Sequence, residues 1–391
     1  MIGRNGSWMT SNRWIILAVL FLARLTMAFQ FQSVAALSPL LIEDFGVGLA
    51  DIGFLIGLYF APGIIFALPG GAIAARFGDK RIVALGMALM LFGGAVIAIT
   101  ESWNVFAAAR LVVGAGGVIL NVVLTKMLVD WFAEKELSTA MAIMVNSWPV
   151  GIALALLVMP PIAAAGGIVS VWWTIVVLTG AILAIFALVY RAPDGATEAP
   201  TTIQKAAFPA TALVCAGFVW ALYNAALAMV FSFGPTFLVQ VGYTLTSAGS
   251  LTSLFMIIFS IALPVGGIIA DRTGRKDAII LLSLLSFAAL MPIAVIYPSS
   301  AFVLFCILGV FFALGAGPVM TLPAEVLSPK SRALGIGVFF SIYYALMMVG
   351  PRIGGGFAQS TGDAGTAIIA GAVMSLGAAA ALLGFRRVVR P

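Results

Sequence analysis

Long apolar runs separated by short polar segments follow one another along the whole chain. Each run has about 20 residues, enough to cross a hydrocarbon core of about 30 Å as a helix. The runs are continuous rather than alternating, which favours helices over the strands of a β-barrel. The predicted spans are 14–42, 51–74, 82–100, 104–129, 138–161, 167–190, 207–240, 247–270, 277–297, 301–324, 333–358 and 364–385.

One long polar connection interrupts this pattern. The segment RAPDGATEAPTTIQK is rich in Pro, Thr and charge and predicts a cytoplasmic linker over 191–206. We therefore expect an N-terminal six-helix bundle over 1–190 and a C-terminal one over 207–391. The first run contains Arg24, Gln30 and Gln32, and it is too long for a signal peptide, so it is expected to be a retained helix.

The composition is typical of a chain that is embedded in a lipid bilayer. Of 391 residues, 63% are hydrophobic and 9% are charged, whereas soluble domains carry roughly 25% charged residues. The two cysteines lie inside apolar runs, and there is no histidine. We therefore expect an all-α membrane protein of twelve transmembrane helices, with no metal and no cofactor.

The charges indicate an orientation. The net charge is +6, from 20 Lys and Arg against 14 Asp and Glu. If both termini are cytoplasmic, every basic residue except Arg24, Arg110 and Arg352 falls in a cytoplasmic segment, whereas Glu43 and Glu101 fall outside. This positive-inside bias predicts a multi-pass protein of the cell inner membrane with both ends in the cytoplasm. The lipid bilayer explains the positive charge, so a nucleic-acid partner is not expected.

Two short segments show an internal repeat. Residues 71–81 read GAIAARFGDKR, residues 267–276 read GIIADRTGRK, and they align without gaps at an offset of 196 positions. The same offset pairs Ser38-Pro39 with Gly234-Pro235. A repeat of about half the chain is typical of transporters built from two related halves, with the substrate bound between them near the midplane.

The repeated segment resembles the signature loop of the major facilitator superfamily, between helices 2 and 3 and again between helices 8 and 9. The matching residues are Gly71, Arg76, Gly78, Lys80 and Arg81, and then Gly267, Asp271, Arg272, Gly274, Arg275 and Lys276. Arg110-x-x-x-Gly114-x-Gly116 is similar to the superfamily's helix 4 motif. The resemblance covers essentially the whole chain. It implies two six-helix bundles around a cavity that opens alternately to each side.

The first loop departs from the family pattern, because Ala75 stands at its acidic position. In the family this carboxylate is thought to hold the halves together in one state, at the end of helix 11. Only the second copy keeps it, as Asp271, so we expect this lock to be one-sided or weaker. The alternative is that both loops are only basic topology anchors.

Three arginines remain inside predicted spans: Arg24 in helix 1, Arg110 in helix 4 and Arg352 in helix 11. An Arg at a helix centre costs about 2.5–3.5 kcal/mol on insertion scales, so each needs a protein partner or water. The resemblance places all three helices beside the cavity. Guanidinium matches carboxylate-like anions and stays charged, which predicts an anionic substrate. Alternatively, Arg110 is structural and Arg352 reaches the headgroups.

Other side chains are candidates for the cavity wall. From Arg24, a helical period of 3.6 residues places Phe31 on the same face. Trp148 in helix 5 matches Tyr343 in helix 11 where the offset of the repeat drops to 195 positions. The remaining candidates for substrate contact are Asn121, Tyr223, Asn224 and Phe231. Each polar candidate could instead bond a neighbouring helix.

Together these features predict a secondary active transporter that moves a small, anionic solute by alternating access and works as a monomer. It resembles the cyanate, nitrate/nitrite and oxalate/formate carriers of the superfamily. The alternative is a proton-coupled exporter of drugs or hydrophobic compounds, but the Gly-Pro motif of such exporters is replaced by Asn146-Ser-Trp-Pro-Val-Gly151 in helix 5. The sequence shows no catalytic constellation, so an enzyme is not expected. It shows no segment long enough for a soluble signalling domain, so a membrane sensor is not expected either.

Overall fold

The computed structural model describes residues 12–67, 77–132, 136–193, 209–328 and 331–389. These residues are mostly helical and contain no strand. Eleven helical runs are long and apolar enough to cross a membrane, and one of them, Thr139–Val189, has 51 residues. At about 1.5 Å per residue, that run is long enough to cross twice. The prediction of an all-α protein with twelve membrane spans is confirmed.

The spans are numbered α1 to α12 in chain order. In the N-terminal half, α1 is Arg13–Ala36 with its continuation Ser38–Phe45, α2 is Leu49–Leu58 with Ala61–Phe66, α3 is Asp79–Ile99 and α4 is Trp103–Phe132. The run Leu137–Val189 supplies α5 and α6, as residues 137–166 and 168–189.

In the C-terminal half, α7 is Ala210–Gln240, α8 is Leu245–Thr273, α9 is Lys276–Ile296, α11 is Arg332–Thr361 and α12 is Gly365–Val389. The span α10 is made of Ala301–Ala313, Ala316–Thr321 and the 3₁₀ turn Leu322–Glu325. Most of the expected linker, residues 194–206, lies outside the described residues.

Two predicted boundaries differ from the structure. A single helix was expected over 14–42, but α1 is interrupted at Leu37, where φ is −111° and ψ is 9°. Pro39 follows in the first turn of the continuation, where its missing backbone N–H breaks no helical hydrogen bond. A loop was expected between 161 and 167, but α5 stays helical until Gly167, whose φ of 77° reverses the chain without a polar segment.

The two faces of the bundle differ in their contacts. We call the face where α1 begins and α12 ends the terminal face, and the face where α1 ends and α2 begins the opposite face. Two ion clusters lie at the terminal face, each within one half. Their members are Lys126 with Asp79 and Asp130, and Arg386 with Asp277 and Glu325, with N–O distances of 2.5–3.1 Å.

At the opposite face, α2 of the first half packs directly on α11 of the second. A Cβ placed at Gly53, Gly57 or Gly355 would overlap a backbone carbonyl oxygen of the other helix. The contact continues to Gly63, which lies against the ring of Tyr344, about 15 Å further along α2 than Gly53. Glycine at these positions lets the two backbones approach closely.

The other helix pairs close the same face. Between α1 and α7, the hydroxyl groups of Ser38 and Thr236 are hydrogen-bonded at 2.5 Å, and both residues are buried. Between α5 and α8, Ser253 donates to the carbonyl oxygen of Ala153 at 2.8 Å. The described residues therefore join the two halves at the opposite face and in the middle of the bundle, and the space between the halves is closed on that side.

Candidate functional site

Arg24 lies near the middle of α1 and faces the interior. Its Nε donates to Oδ1 of Asn121 on α4 at 3.2 Å, and its Nη1 donates to the carbonyl oxygen of Met144 on α5 at 2.7 Å. Tyr343 and Tyr344 on α11 are close enough to interact electrostatically with the guanidinium. The side chain is partly exposed although three other helices surround it, so this exposure is to the space between the halves. Three of its five N–H groups have no partner among the described residues.

Asn121 connects Arg24 to the other half of the protein. Its Oδ1 accepts from Arg24, and its Nδ2 donates to the Tyr344 hydroxyl at 3.2 Å. The Tyr344 ring in turn lies 5.1 Å from that of Tyr343. The charge on α1 is thus linked through one amide to α11, so any group that binds Arg24 is close to a contact between the halves.

Aromatic rings from both halves meet beside this link. Phe31 stacks on Trp148 with a centroid distance of 5.3 Å, and it makes an edge contact with Phe231 at 5.9 Å. Phe60 packs on Phe31 at 5.0 Å and reaches Tyr343 at 6.1 Å. Phe31 and Phe231 are buried, whereas Trp148 and Tyr343 are partly exposed. The structure therefore brings four of the predicted site residues into one aromatic cluster.

Arg110 does not reach this space. It is fully buried, and its Nε, Nη1 and Nη2 donate to the backbone carbonyls of Leu55, Gln30 and Phe31 at 3.3, 2.9 and 2.5 Å. Its guanidinium also lies 4.9 Å from the ring centre of Tyr59. Arg110 fastens α4 to α1 and α2, and it supports Phe31 from behind. We therefore leave it out of the proposed binding residues.

Arg352 lies at the opposite face, away from Arg24. It pairs with Asp51 on α2 at 3.4 Å, and the two side chains are 50% and 40% exposed. This ion pair joins the halves, but its exposure makes it worth only about 0–1 kcal/mol. It is an accessory to the contact between α2 and α11, and we leave it out of the proposed site as well.

The two polar candidates on α7 are placed differently from each other. Tyr223 is buried, and its hydroxyl donates to the carbonyl oxygen of Phe312 on α10 at 2.5 Å. It is a packing residue of the C-terminal half. Asn224 is partly exposed and donates to the carbonyl oxygen of Trp220 one turn earlier, which leaves its Oδ1 without a partner among the described residues.

The loop motif is described in part. Gly71 and Arg76 lie outside the described residues. Gly78 has a φ of 87° and precedes α3, and Gly274 has a φ of 64° and ends α8. These two repeat-related positions need a left-handed backbone, which glycine adopts without strain. A Cβ placed at Gly267 would meet no other atom within 4 Å.

The charged members of the motif have unequal roles. Lys80 donates to the carbonyl oxygens of Ala187 and Tyr190 at 2.7 Å each, so it holds the end of α6. Asp271, Arg272 and Arg275 are exposed, and their side chains make no ion pair with a described residue.

Sequence reasoning missed several residues of this region. Tyr344 and Phe60 join the site to the second half and to α2, and Gly63 makes room for the Tyr344 ring. The Tyr343-Tyr344 pair in a cavity-bordering helix was a usable signal. No sequence signal distinguished Gly63 from the many other glycines, because the ring that it contacts belongs to a helix far away in the sequence.

Comparisons with known proteins agree with this architecture. The model of the Major Facilitator Superfamily matches residues 20–246 and 210–391. A hexuronate transporter of Bacillus subtilis is 23% identical to this chain, over 96% of the chain and 94% of the relative. A gallate transporter of Pseudomonas putida is 24% identical, over 86% of the chain and 84% of the relative.

A solved structure shows the same fold. A bacterial homologue of the human lysosomal transporter Spinster, in an inward-facing and occupied conformation, superposes with a TM-score of 0.79 at 16% identity, and the match covers 96% of this chain and 97% of that one. The repeated loop, the twelve spans and the family model lead to the same conclusion. The chain belongs to the Major Facilitator Superfamily and is a membrane-spanning transporter.

Proposed function

We propose that this transporter moves a small organic anion across the cell inner membrane by alternating access, and that Arg24 binds the anionic group. One observation carries the proposal: the Arg24 guanidinium lies between the two halves with three N–H groups unpaired among the described residues. A membrane-embedded charge needs a partner, and the planar fork of a guanidinium matches a carboxylate. The proposed contacts are Arg24, Trp148, Asn224 and Tyr343, and the buried rings of Phe31 and Phe231 and the amide of Asn121 hold them in place.

The relatives support an anionic substrate. Hexuronate and gallate, the substrates named for the two relatives, both carry a carboxylate. No described Asp or Glu bonds Arg24, so the site offers positive charge that the protein itself does not neutralise. A hydrophobic cation would be repelled there, which disfavours the drug-exporter alternative.

The direction of closure fits an alternating mechanism. We place the terminal face in the cytoplasm, because the basic residues outside the spans lie in segments on that side. The contact between α2 and α11 then closes the periplasmic side. Transport would require the halves to separate there and to approach at the cytoplasmic side.

The membrane potential limits how the uptake of an anion can be driven. Each net negative charge moved inward against an inside-negative potential costs about 2.3 kcal/mol per 100 mV. Asp51 and Glu325, two acids near helix ends, are both engaged in ion pairs. This favours exchange of one anion for another, or entry of a proton on the substrate itself.

A thermal-shift screen of small anions and cations on the purified protein tests the proposal. We expect carboxylates to raise Tm in a concentration-dependent way, as binding to the native state requires. Arg24→Ala should abolish that rise. Arg387→Ala, which removes an exposed arginine at the terminal face, is the matched control and should leave it unchanged. Stabilisation by cationic drugs alone, or an equal rise in Arg24→Ala, would overturn the proposal.

A further inference from the structure

We propose that the anion is an aromatic monocarboxylate, whose carboxylate binds Arg24 and whose ring packs on the exposed faces of Trp148 and Tyr343. This inference rests on the proposed function and adds the substrate class. It follows from which rings are exposed and where they lie relative to Arg24.

The aromatic cluster has a buried layer and an accessible layer. Phe31, Phe60 and Tyr344 are at most 3% exposed. Trp148 and Tyr343 are partly exposed and lie in front of them. The buried rings fix the positions of the two accessible rings, which therefore offer apolar surface to a ligand without having to rearrange.

The two accessible rings come from the two halves. Trp148 on α5 and Tyr343 on α11 are related by the internal repeat, and both contact Phe60, at 6.4 and 6.1 Å. Tyr343 lies near the Arg24 guanidinium. A ligand at Arg24 is therefore bordered by aromatic rings of both halves. Flat rings pack favourably on such surfaces in offset-stacked or edge-to-face arrangements.

Some hydrogen-bonding groups near these rings are already used. Asn121 uses both ends of its amide, on Arg24 and on Tyr344, and the Asn146 oxygen accepts from a serine on α8. Among the described residues, the Trp148 indole N–H, the Asn146 amide nitrogen, the Asn224 oxygen and the Tyr343 hydroxyl have no hydrogen-bond partner. These groups can bond polar substituents on the ring of a ligand.

The apolar faces of the accessible rings separate the candidate classes of anion. A sugar acid would turn hydroxyl groups toward these faces, and each hydroxyl left without a partner weakens binding. A small inorganic anion such as nitrate would pair with Arg24 but leave the aromatic surface unused. An aromatic monocarboxylate satisfies both the charge and the rings.

The test compares dissociation constants of benzoate, glucuronate and nitrate for the purified protein by calorimetry. We expect benzoate to bind at least about tenfold more tightly than the other two. Trp148→Ala should weaken benzoate about tenfold, while Trp148→Phe retains most of the affinity, because ring contacts of this kind are worth about 0.5–1.5 kcal/mol beyond the buried area.

Three contrary results are distinguishable. Tighter binding of glucuronate or nitrate than of benzoate, lost in Arg24→Ala, would overturn the aromatic class and leave the anion proposal standing. Benzoate binding that is equal in wild type and Trp148→Ala would also overturn it. Binding of all three anions that is unchanged by Arg24→Ala would overturn both proposals.

Discussion

A single methyl group at Gly355 should open the seam between α2 and α11. A Cβ at Gly355 would overlap the carbonyl oxygen of Leu49 and lie 3.1 Å from the Cα of Ala50, both backbone atoms that cannot rotate away. At the next position, Gly356, a Cβ meets nothing within 4 Å. Gly356→Ala is therefore a matched control on the same helix, one residue away.

The size of the effect follows from the packing. An extra methylene in a well-packed contact costs about 1–3 kcal/mol, and here the cost arises only while the halves are closed at the opposite face. At 1.4 kcal/mol per factor of ten, the closed-to-open ratio should fall about 5- to 150-fold. Both substitutions also gain up to about 1 kcal/mol of helix propensity, and this gain cancels in the comparison.

Cysteine labelling measures this ratio without any assumption about orientation. In a background with Cys215 and Cys306 replaced by alanine, Ser38→Cys places a thiol in the buried contact between α1 and Thr236. The maleimide reaction rate of the purified protein then reports how often the halves separate at the opposite face, where the seam also lies. Gly355→Ala should accelerate labelling at least about fivefold over Gly356→Ala. Equal rates in the two variants would refute the account of the seam.

Three further predictions concern charged residues. Arg110→Lys should lower stability by about 1.5–3 kcal/mol, because one ammonium cannot replace three charge-assisted bonds to backbone carbonyls; an unchanged Tm on thermal unfolding with lost ligand binding would instead make Arg110 a binding residue. Lys126→Met should lower Tm, because it leaves the carboxylates of Asp79 and Asp130 without their shared cation, and an unchanged Tm would show that the cluster adds nothing. Asp271→Asn should shift the balance between the two open states, and unchanged cysteine accessibility on both faces would count against any lock at that position.

The fold was accessible from the sequence because its determinants are local or repeated. The apolar runs fixed twelve spans, and a Gly-containing loop repeated at an offset of 196 positions identified the halves. The helical period from Arg24 also pointed to Phe31, which the structure places in the aromatic cluster with Trp148 and Phe231. Even the break at Leu37 has a local cause in Pro39, although it was not predicted.

The roles of the three arginines were not accessible in the same way. Arg110 and Arg24 look alike in sequence, but all three nitrogens of Arg110 bond helix carbonyls on α1 and α2, whereas Arg24 keeps free N–H groups. The partner of Arg352 is Asp51, 301 positions away. Which donors remain free depends on contacts between distant helices, and no local pattern encodes them.

A thermodynamic cycle tests the central claim, that Arg24 binds the carboxylate of the substrate, most directly. The dissociation constants of a carboxylate and of its uncharged amide are measured for wild type and for Arg24→Gln by calorimetry. The wild type should prefer the carboxylate about 100-fold or more, as a desolvated, hydrogen-bonded charge pair implies, and Arg24→Gln should bind the two ligands alike. A variant that keeps the full preference for the carboxylate would contradict the claim.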